Sequence, residues 1–219
     1  MIKVTFIHHS AFMVELQEHV LLFDYTQGEI PAYDRNKDLY VFASHAHGDH
    51  YSPSILQLNA KAVILGFEME QKNDNMYCLL PHSSKTLHDI KIHTFFSTDE
   101  GVAFLIECEG RRIYHAGDLH NWHWPGDTLQ EENWMKQHYE EEMRYLAPFH
   151  PHIAFVVLDP RLQMYAEEGM DTFFSMVEAD IVFPMHLWGD FHFAKQYQKT
   201  HQKSNLYLYE HDGSTFLFE

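Results

Sequence analysis

Residues 39–53 read LYVFASHAHGDHYSP, and most of the interpretation of this chain follows from them. Residues 39–44 form a nearly continuous apolar run, which is typical of a strand buried on both faces. Three histidines and an aspartate lie between positions 45 and 50, and Ser52 and Pro53 are residue types that begin a short helix. The stretch predicts a histidine-rich loop between a buried strand and a helix, where ligand-binding groups commonly converge.

The spacing H-x-H-x-D-H within this loop favours a metal site. In an extended segment alternate residues point to one side, so His45 and His47 can bind one ion together. Gly48 lets the chain turn, which leaves Asp49 and His50 facing a second ion. Imidazole nitrogens and carboxylate oxygens are ligands of zinc, and also of iron and manganese. A solvated histidine-rich loop without metal is the alternative, and this spacing directly after a strand disfavours it.

The rest of the chain has the pattern of an α/β protein, with strands early and mixed strands and helices later. Strands are predicted at residues 3–7, 12–16, 20–25, 39–44, 62–66, 77–80, 90–96, 102–107, 111–116, 153–159, 180–186, 205–210 and 214–219. Helices are predicted at residues 52–59, 129–145, 171–178 and 191–201. Trp134, Tyr139 and Met143 are the candidates for the inward face of the second helix. No linker or repeat divides the chain, which indicates two sheets packed face to face with helices outside.

Composition restricts the partners of this chain. The 15 Lys and Arg residues against 32 Asp and Glu residues leave a formal charge of −17, which repels nucleic acids and anionic lipid surfaces. The first residues lack the pattern of an export signal and no apolar window is long enough to span a membrane, so a soluble cytoplasmic protein is expected. Cys78 and Cys108 match no zinc or redox spacing and are expected to be buried small hydrophobic residues. The oligomeric state is left open, a homo-oligomer included.

Four motifs, in order along the chain, resemble those of the metallo-β-lactamase superfamily. H-x-H-x-D-H after a strand is the family's signature, and IHHSAFMVE (7–15) with LLFDY (21–25) resembles its opening strands. IYHAGDL (113–119) resembles the later strand that ends in Gly-Asp, and VFPMHLW (182–188) resembles the late strand that carries a histidine. The resemblance implies that residues 1–219 form a single metallo-β-lactamase-like domain, an αββα sandwich of two mixed β-sheets with helices outside.

The resemblance also implies a centre of two divalent metal ions, with zinc favoured and iron or manganese as alternatives. The ligands that it implies are His45 and His47 for the first ion, and Asp49, His50 and His186 for the second. Asp118 is implied as the bridge between both ions. An ordinary turn aspartate is the alternative for Asp118, and a core histidine bonded to backbone is the alternative for His186.

The chain departs from the family at the first ion. Most relatives supply a third histidine there, whereas this chain has Ser97 to Asp99 at the comparable place. Asp99 is a candidate oxygen donor in place of that histidine, and a turn or cap role is its equal alternative. His120 and His123 are further candidates, although His123 is more readily explained by packing or by a place at the pocket rim. A weak first site is the remaining interpretation.

Other residues are expected around the same cavity. Asp24 would orient a ligand imidazole and His9 would line the cavity, and capping of a loop is an equal alternative for either residue. Arg161 follows a buried strand and its planar fork suits a substrate carboxylate or phosphate. A salt bridge from Arg161 to Asp159 or Glu167 is the slightly favoured alternative.

These assignments predict a metal-dependent hydrolase. Two ions that share a hydroxide lower its pKa and polarise a scissile carbonyl or phosphoryl group. Asp49 is the predicted catalytic proton acceptor, since one of its oxygens can touch metal while the other takes a proton. The substrate is expected to be a small intracellular molecule with an ester, lactone, thioester or phosphodiester bond, which fold and motif do not identify further. The alternatives are an iron-dependent redox protein and a non-catalytic or weakly active metal-binding protein on the same fold.

Overall fold

Two β-sheets of seven and six strands form the centre of the protein, whose computed structural model describes residues 1–219. The strands are β1 (Ile2–His8), β2 (Ala11–Glu15), β3 (His19–Phe23), β4 (Asp38–Ala43), β5 (Ala62–Leu65), β6 (Met76–Cys78), β7 (Ser84–Leu87), β8 (Ile90–Phe96), β9 (Val102–Cys108), β10 (Arg111–His115), β11 (Ile153–Val157), β12 (Ile181–Met185) and β13 (Thr215–Phe218). The α-helices are α1 (Leu129–Leu146), α2 (Glu168–Met176) and α3 (Phe191–His201), and short 3-10 helices cover Pro53–Gln57, Ala147–Phe149 and Pro160–Tyr165.

Both sheets are mixed. The seven-stranded sheet, sheet A, has the order β13-β1-β2-β3-β4-β5-β6, and its strands from β3 to β6 pair in parallel. The six-stranded sheet, sheet B, has the order β12-β11-β10-β9-β8-β7, and β10, β11 and β12 pair in parallel. This arrangement, with the helices, confirms the predicted sandwich. No helix has both the length and the apolar character that crossing a bilayer demands.

Side chains of sheet A divide between two apolar layers because neighbouring residues of a strand point to opposite faces. In β2, Phe12 packs into the main core whereas Met13 packs into a smaller outer cluster. The ring centroids of Phe12 and Phe155 are 4.2 Å apart, which joins sheet A to sheet B. Burial on both faces explains why β2, β3 and β4 have nearly continuous apolar sequences. The outer cluster is covered by Ile55 of the first 3-10 helix and by residues of the loop after β3, among them Tyr33.

Several sequence-based predictions differ from the structure. Residues 205–210 form only an isolated bridge between Leu206 and Val182, and their apolar alternation serves packing, since Leu206 and Tyr209 are buried. The helix expected at 52–59 is a 3-10 helix limited to Pro53–Gln57. The short edge strand β7 was missed because its sequence, SKTL, is mostly polar and exposed.

Two side chains are also more exposed than the sequence suggests. Trp134 is 45% exposed, while Tyr139 and Met143 on the same helix are buried as predicted. Cys78 is exposed, which contradicts its expected burial, whereas Cys108 is buried as expected and both thiols are free. Trp134 is therefore not part of the core side of α1, and its indole ring is partly exposed to solvent.

The expected site residues follow the carboxyl ends of strands, where parallel neighbours end at one edge of a sheet. The residues that follow these ends are Asp24 after β3, His45 after β4, Asp118 after β10, Asp159 after β11 and His186 after β12. The loop after β8 reaches the same edge through Gly101. Gly101 has φ +68°, and a Cβ atom there would collide with the carbonyl oxygen of Ser44. A glycine is therefore required where this loop crosses the start of the histidine-rich loop.

Candidate metal centre

Eight side chains gather at this edge in two adjacent groups. Within each group, one donor atom per residue lies within 4.8 Å of all the others. The first group consists of His45, His47, Asp99 and Asp118. The second group consists of His9, Asp49, His50 and His186. The loop, the Gly-Asp strand end and the late histidine are thus brought together, as the motifs predict.

Two imidazoles of the second group are held from behind by carboxylates. His50 Nδ1 donates to Asp24 Oδ2 at 2.7 Å, and His186 Nδ1 donates to Asp159 Oδ2 at 2.8 Å. Each ring therefore points its Nε2 inward, at 3.1 Å and 3.5 Å respectively from Asp118 Oδ1. Such carboxylate–imidazole pairs fix the orientation and tautomer of metal-binding histidines. Asp24 occupies the orienting position that the sequence proposed for it, and Asp159, expected from the sequence as a possible partner of Arg161, also orients His186.

Asp24 supports the first group as well. It accepts hydrogen bonds from the Ser44 backbone N–H and hydroxyl, both at 2.7 Å. Ser44 Oγ in turn lies 3.0 Å from His45 Nδ1, which leaves His45 Nε2 at 3.5 Å from Asp118 Oδ2. Burial, and then the neighbouring His50, lower the pKa of His45 to about 4, so its imidazole is neutral at physiological pH. Ser44 was not predicted as a site residue, although its place directly before the loop was the available signal.

Asp118 lies between the two groups. One carboxylate oxygen faces His45, and the other faces His50 and His186. Burial disfavours the ionised carboxyl, but the imidazoles around it outweigh this effect and hold the pKa of Asp118 well below its usual range. Burial likewise disfavours the imidazolium of His50, yet the carboxylates of Asp118 and Asp24 raise the pKa of His50 to about 10. An ionised carboxylate in this position can be shared by two cations.

The buried polar atoms of the centre fit a metal site. Nε2 of His9, His50 and His186 and Oδ1 of Asp118 are buried without a hydrogen-bond partner. Buried polar atoms almost always have a hydrogen-bond partner or a metal ion. Four such atoms that point to one place without a partner are therefore consistent with a bound cation. The donor atoms are imidazole nitrogens and carboxylate oxygens, which suit zinc, iron or manganese. The residues present are therefore those that divalent ions require.

Asp99 is the residue that joins the first group from the stretch where relatives have a histidine. Its Oδ2 lies 3.7 Å from His47 Nδ1, and both side chains are partly exposed to solvent. His120 and His123 belong to neither group. His120 is buried against Gly169, where a Cβ atom would collide with its ring. His123 stacks on Tyr165 with ring centroids 3.5 Å apart, consistent with its expected packing role.

His9 and Arg161 are placed differently from each other. His9 lies inside the second group, with Nε2 3.5 Å from Asp49 Oδ2, rather than only lining the cavity. Arg161 forms the salt bridge with Asp159, since Nε lies 2.9 Å from Oδ2 and Nη2 lies 2.5 Å from the same atom. The guanidinium also lies 4.3 Å from the centre of the Trp188 ring. Its charge is therefore compensated within the protein.

Two cavities open onto the centre. One has a volume of about 280 Å³ and is lined by residues of both groups together with Trp122, Trp124 and Trp188. The other, of about 630 Å³, shares Asp49 and Trp188 with the first. Trp188 was not among the predicted site residues, although it follows His186 by two positions. A small molecule can therefore approach the two groups from an aromatic-walled space.

Comparison with known proteins identifies the family of this chain. A family model described as "Beta-lactamase superfamily domain" matches residues 3–130, which include the histidine-rich loop and Asp118. The chain belongs to the metallo-β-lactamase superfamily. The match confirms the resemblance that the sequence motifs indicate.

Two relatives with similar sequences are named as metal-dependent hydrolases. A UPF0173 metal-dependent hydrolase of Alkaliphilus metalliredigens is 30% identical over 139 residues, which are 53% of this chain and 62% of that relative. The chain therefore spans less than two thirds of that relative's length. One of Methanospirillum hungatei is 27% identical over 203 residues, which are 84% of this chain and 82% of that relative.

A solved structure shares the whole fold. Igni18, described as a novel metallo hydrolase from Ignicoccus hospitalis, aligns with a TM-score of 0.68 and 19% sequence identity. The alignment covers 100% of this chain and 99% of Igni18. At this identity the similarity establishes the fold, and this chain's own residues must carry the argument about chemistry.

Replacing Asp24 with asparagine is expected to weaken metal binding about 10–100-fold. An amide has a single acceptor oxygen, whereas Asp24 accepts from the Ser44 backbone N–H on Oδ1 and from Ser44 Oγ and His50 Nδ1 on Oδ2. Competition with a chromogenic chelator measures the affinity. Asp74→Asn, an exposed change outside the site, is the control and should leave affinity unaltered. Wild-type affinity in a folded Asp24→Asn protein would show that Asp24 does not orient the ligands.

Proposed function

We propose that this chain is a metal-dependent hydrolase with a centre of two divalent ions, zinc being favoured. The ligands proposed for the first ion are His45, His47 and Asp99, and those for the second are Asp49, His50, His186 and His9, with Asp118 shared. The observation that carries the proposal is the position of Asp118, whose two oxygens face separate groups of inward-pointing imidazoles. When bound, the ions supply Lewis acidity for hydrolysis.

Asp49 is proposed as the catalytic proton acceptor. Its carboxylate is partly exposed and lines both cavities at the centre, with Oδ2 turned towards His9. The neighbouring imidazole of His9, whose Nε2 lies 3.5 Å from Oδ2, holds the pKa of Asp49 below its usual range despite partial burial. Asp49 is therefore ionised at neutral pH and can take a proton from an attacking water in the cavity.

His186, Asp159 and Arg161 are proposed to position the substrate side of the centre. Asp159 is fully buried and accepts from His186 and Arg161, and Trp188 Nε1 also donates to it at 3.2 Å. These hydrogen bonds to Asp159 fix the orientation of His186 and of Trp188, whose ring lines the cavity. Since Arg161 is already paired and no other lysine or arginine lines the two cavities at the centre, no basic side chain there is free to bind a nucleic-acid backbone, which favours a small molecule over nucleic acid.

The test is elemental analysis of protein purified without chelator, followed by assays on a panel of lactones, esters, thioesters and phosphodiesters. We expect about two ions per chain and turnover of at least one class that chelation abolishes. Full metal occupancy without turnover of any class would favour a non-catalytic metal-binding protein and overturn the proposal.

An iron-dependent redox role is the second candidate, and one observation favours it. Three of the eight donor residues, Asp49, Asp99 and Asp118, are carboxylates, and Asp99 lies in the stretch where the family resemblance implies a histidine. Mixed imidazole and carboxylate ligands are found in non-haem iron sites, so this donor set is compatible with iron. Iron as the main metal, with visible absorbance that changes on reduction, would replace hydrolysis by this function. A single domain over residues 1–219, the cytoplasmic location and a homo-oligomer stay predictions.

A further inference from the structure

A third cavity, of about 550 Å³, lies beside the metal centre, and three of its eight lining residues are tryptophans. Trp122 and Trp124 come from the loop before α1, and Trp134 and Met135 come from α1 itself. Trp122, Trp124 and Met135 also line the cavity over the metal groups. The two cavities therefore adjoin, and a molecule in the first can extend into the second.

Two of the three indole rings of this cavity are partly exposed to solvent. Trp122 is buried and lies parallel to Trp124, and Trp134 stacks on His138 with ring centroids 4.1 Å apart. Trp124 and Trp134 are 38% and 45% exposed, although large aromatic side chains gain most from burial. The core side of α1 is filled by Tyr139, Met143 and Leu146. Exposed aromatic rings that converge on one cavity next to a reaction centre point to a ligand that covers them.

The charges of this cavity are all negative. Asp127 and Glu131 are its charged lining residues, and no lysine or arginine lines it. The Trp124 backbone N–H donates to Asp127 Oδ2 at 2.7 Å. Hydrogen bonds from the Thr128 backbone and hydroxyl lower the pKa of Glu131, so its carboxylate stays ionised. The whole chain carries −17, which further favours a cation here.

Indole faces bind cations through the negative potential above the ring. The protein already uses this interaction nearby, since the Arg161 guanidinium lies 5.5 Å from the centre of the Trp124 ring and 4.3 Å from that of Trp188. Several indoles with carboxylates around them form the kind of cage that holds alkylammonium groups.

We propose that this aromatic cage binds a positively charged alkylammonium group of the substrate. That the bound molecule is a substrate rests on the proposed hydrolase activity, whereas the binding of the cation does not. With the ammonium group held by Trp122, Trp124 and Trp134, the rest of the molecule reaches the metal groups through the shared wall. The substrate class is thus a small ester, lactone or thioester that bears a quaternary or protonated amine.

The experiment compares choline with 3,3-dimethylbutan-1-ol, which has the same shape without the charge. Binding of each probe to the metal-loaded protein is measured by ligand-observed NMR titration at constant ionic strength. We expect choline to bind about tenfold more tightly than the neutral alcohol, because only the cation gains from the ring faces and the carboxylates. Equal affinities would mean an ordinary apolar cavity and would overturn the proposal.

Three variants localise the effect. Trp134→Ala should weaken choline binding about fivefold or more, while Tyr145→Ala, which removes an exposed aromatic ring of α1 outside the cavity, should not. Glu131→Gln keeps an acceptor for the Thr128 hydroxyl but loses the charge, so it should weaken choline about twofold and leave the neutral alcohol unaffected. Unchanged choline binding in both Trp134→Ala and Glu131→Gln places the cation elsewhere and refutes the cage.

The two proposals can fail separately. A protein that hydrolyses members of the panel but does not prefer choline to its neutral counterpart refutes the cage alone. A protein that prefers choline through Trp134 but hydrolyses nothing refutes the hydrolase alone. If both hold, aminoalkyl esters should be turned over with a lower KM than their uncharged counterparts, and Trp134→Ala should remove that difference.

Discussion

Asp118→Ala is expected to lower hydrolytic turnover about a thousandfold, since it removes the one carboxylate shared by both ligand groups. The loss acts on two ions at once. Without the Asp118 carboxylate, His45, His50 and His186 no longer have a negative charge between them to balance bound cations. The amount of metal bound per chain should therefore fall as well. Steady-state assays with metal analysis of the same preparation measure both effects.

Asp74→Ala is the matched control for Asp118→Ala, because Asp74 is an exposed aspartate that is separated from every proposed metal-binding residue by at least 24 positions. It should retain wild-type metal content and turnover. Full activity of Asp118→Ala, with metal content verified, would mean that the reaction does not depend on the shared carboxylate. The proposed two-ion centre would then be untenable.

Removing the metal is expected to lower the melting temperature by about 10 °C and to abolish turnover. Ligand at about a thousand times its dissociation constant stabilises a folded protein by about 4 kcal/mol, and about 2–4 °C accompany each kcal/mol in a chain of this size. The cause here is that Nε2 of His9, His50 and His186 loses its partner inside the protein. Differential scanning calorimetry with and without chelator measures the shift.

The Asp118→Ala variant supplies the internal control for this shift. It holds little metal, so the chelator should change its melting temperature by only a small fraction of the wild-type amount. Returning zinc, iron or manganese to the wild-type protein should restore both stability and turnover, and the most effective ion identifies the preferred one. Identical melting of chelated and metal-loaded wild-type protein would show that these imidazoles bind no ion.

Much of the fold was accessible from sequence because burial has a local signature. Strands β2, β3 and β4 are apolar on both faces and stand out as nearly continuous runs. Residues 205–210 have an equally good pattern but form no strand, since Leu206 and Tyr209 find burial by packing alone. Alternation reports which side chains avoid water, and it does not report whether a neighbouring strand is present to bond with.

The candidate centre divides in the same way. His45, His47, Asp49 and His50 lie within one loop, so their spacing is enough to predict that they act together. Asp118 and His186 were found because each ends a strand with a distinctive local motif. His9 lies in the motif of the opening strands and was expected only to line the cavity. Its neighbour Asp49 lies 40 positions away, which is why its place among the possible ligands of the second group was not foreseen.

The sequence alone determined three features: the spacing of the histidine-rich loop, the motifs at three strand ends and the excess of acidic residues. Each of them is a property of neighbouring residues or of composition. The choice of Asp99 over His120 and His123, the pairing of His186 with Asp159 and the exposure of Trp134 depend on how two sheets and a helix pack. Contacts between distant segments are set by that packing, whose geometry no local pattern encodes.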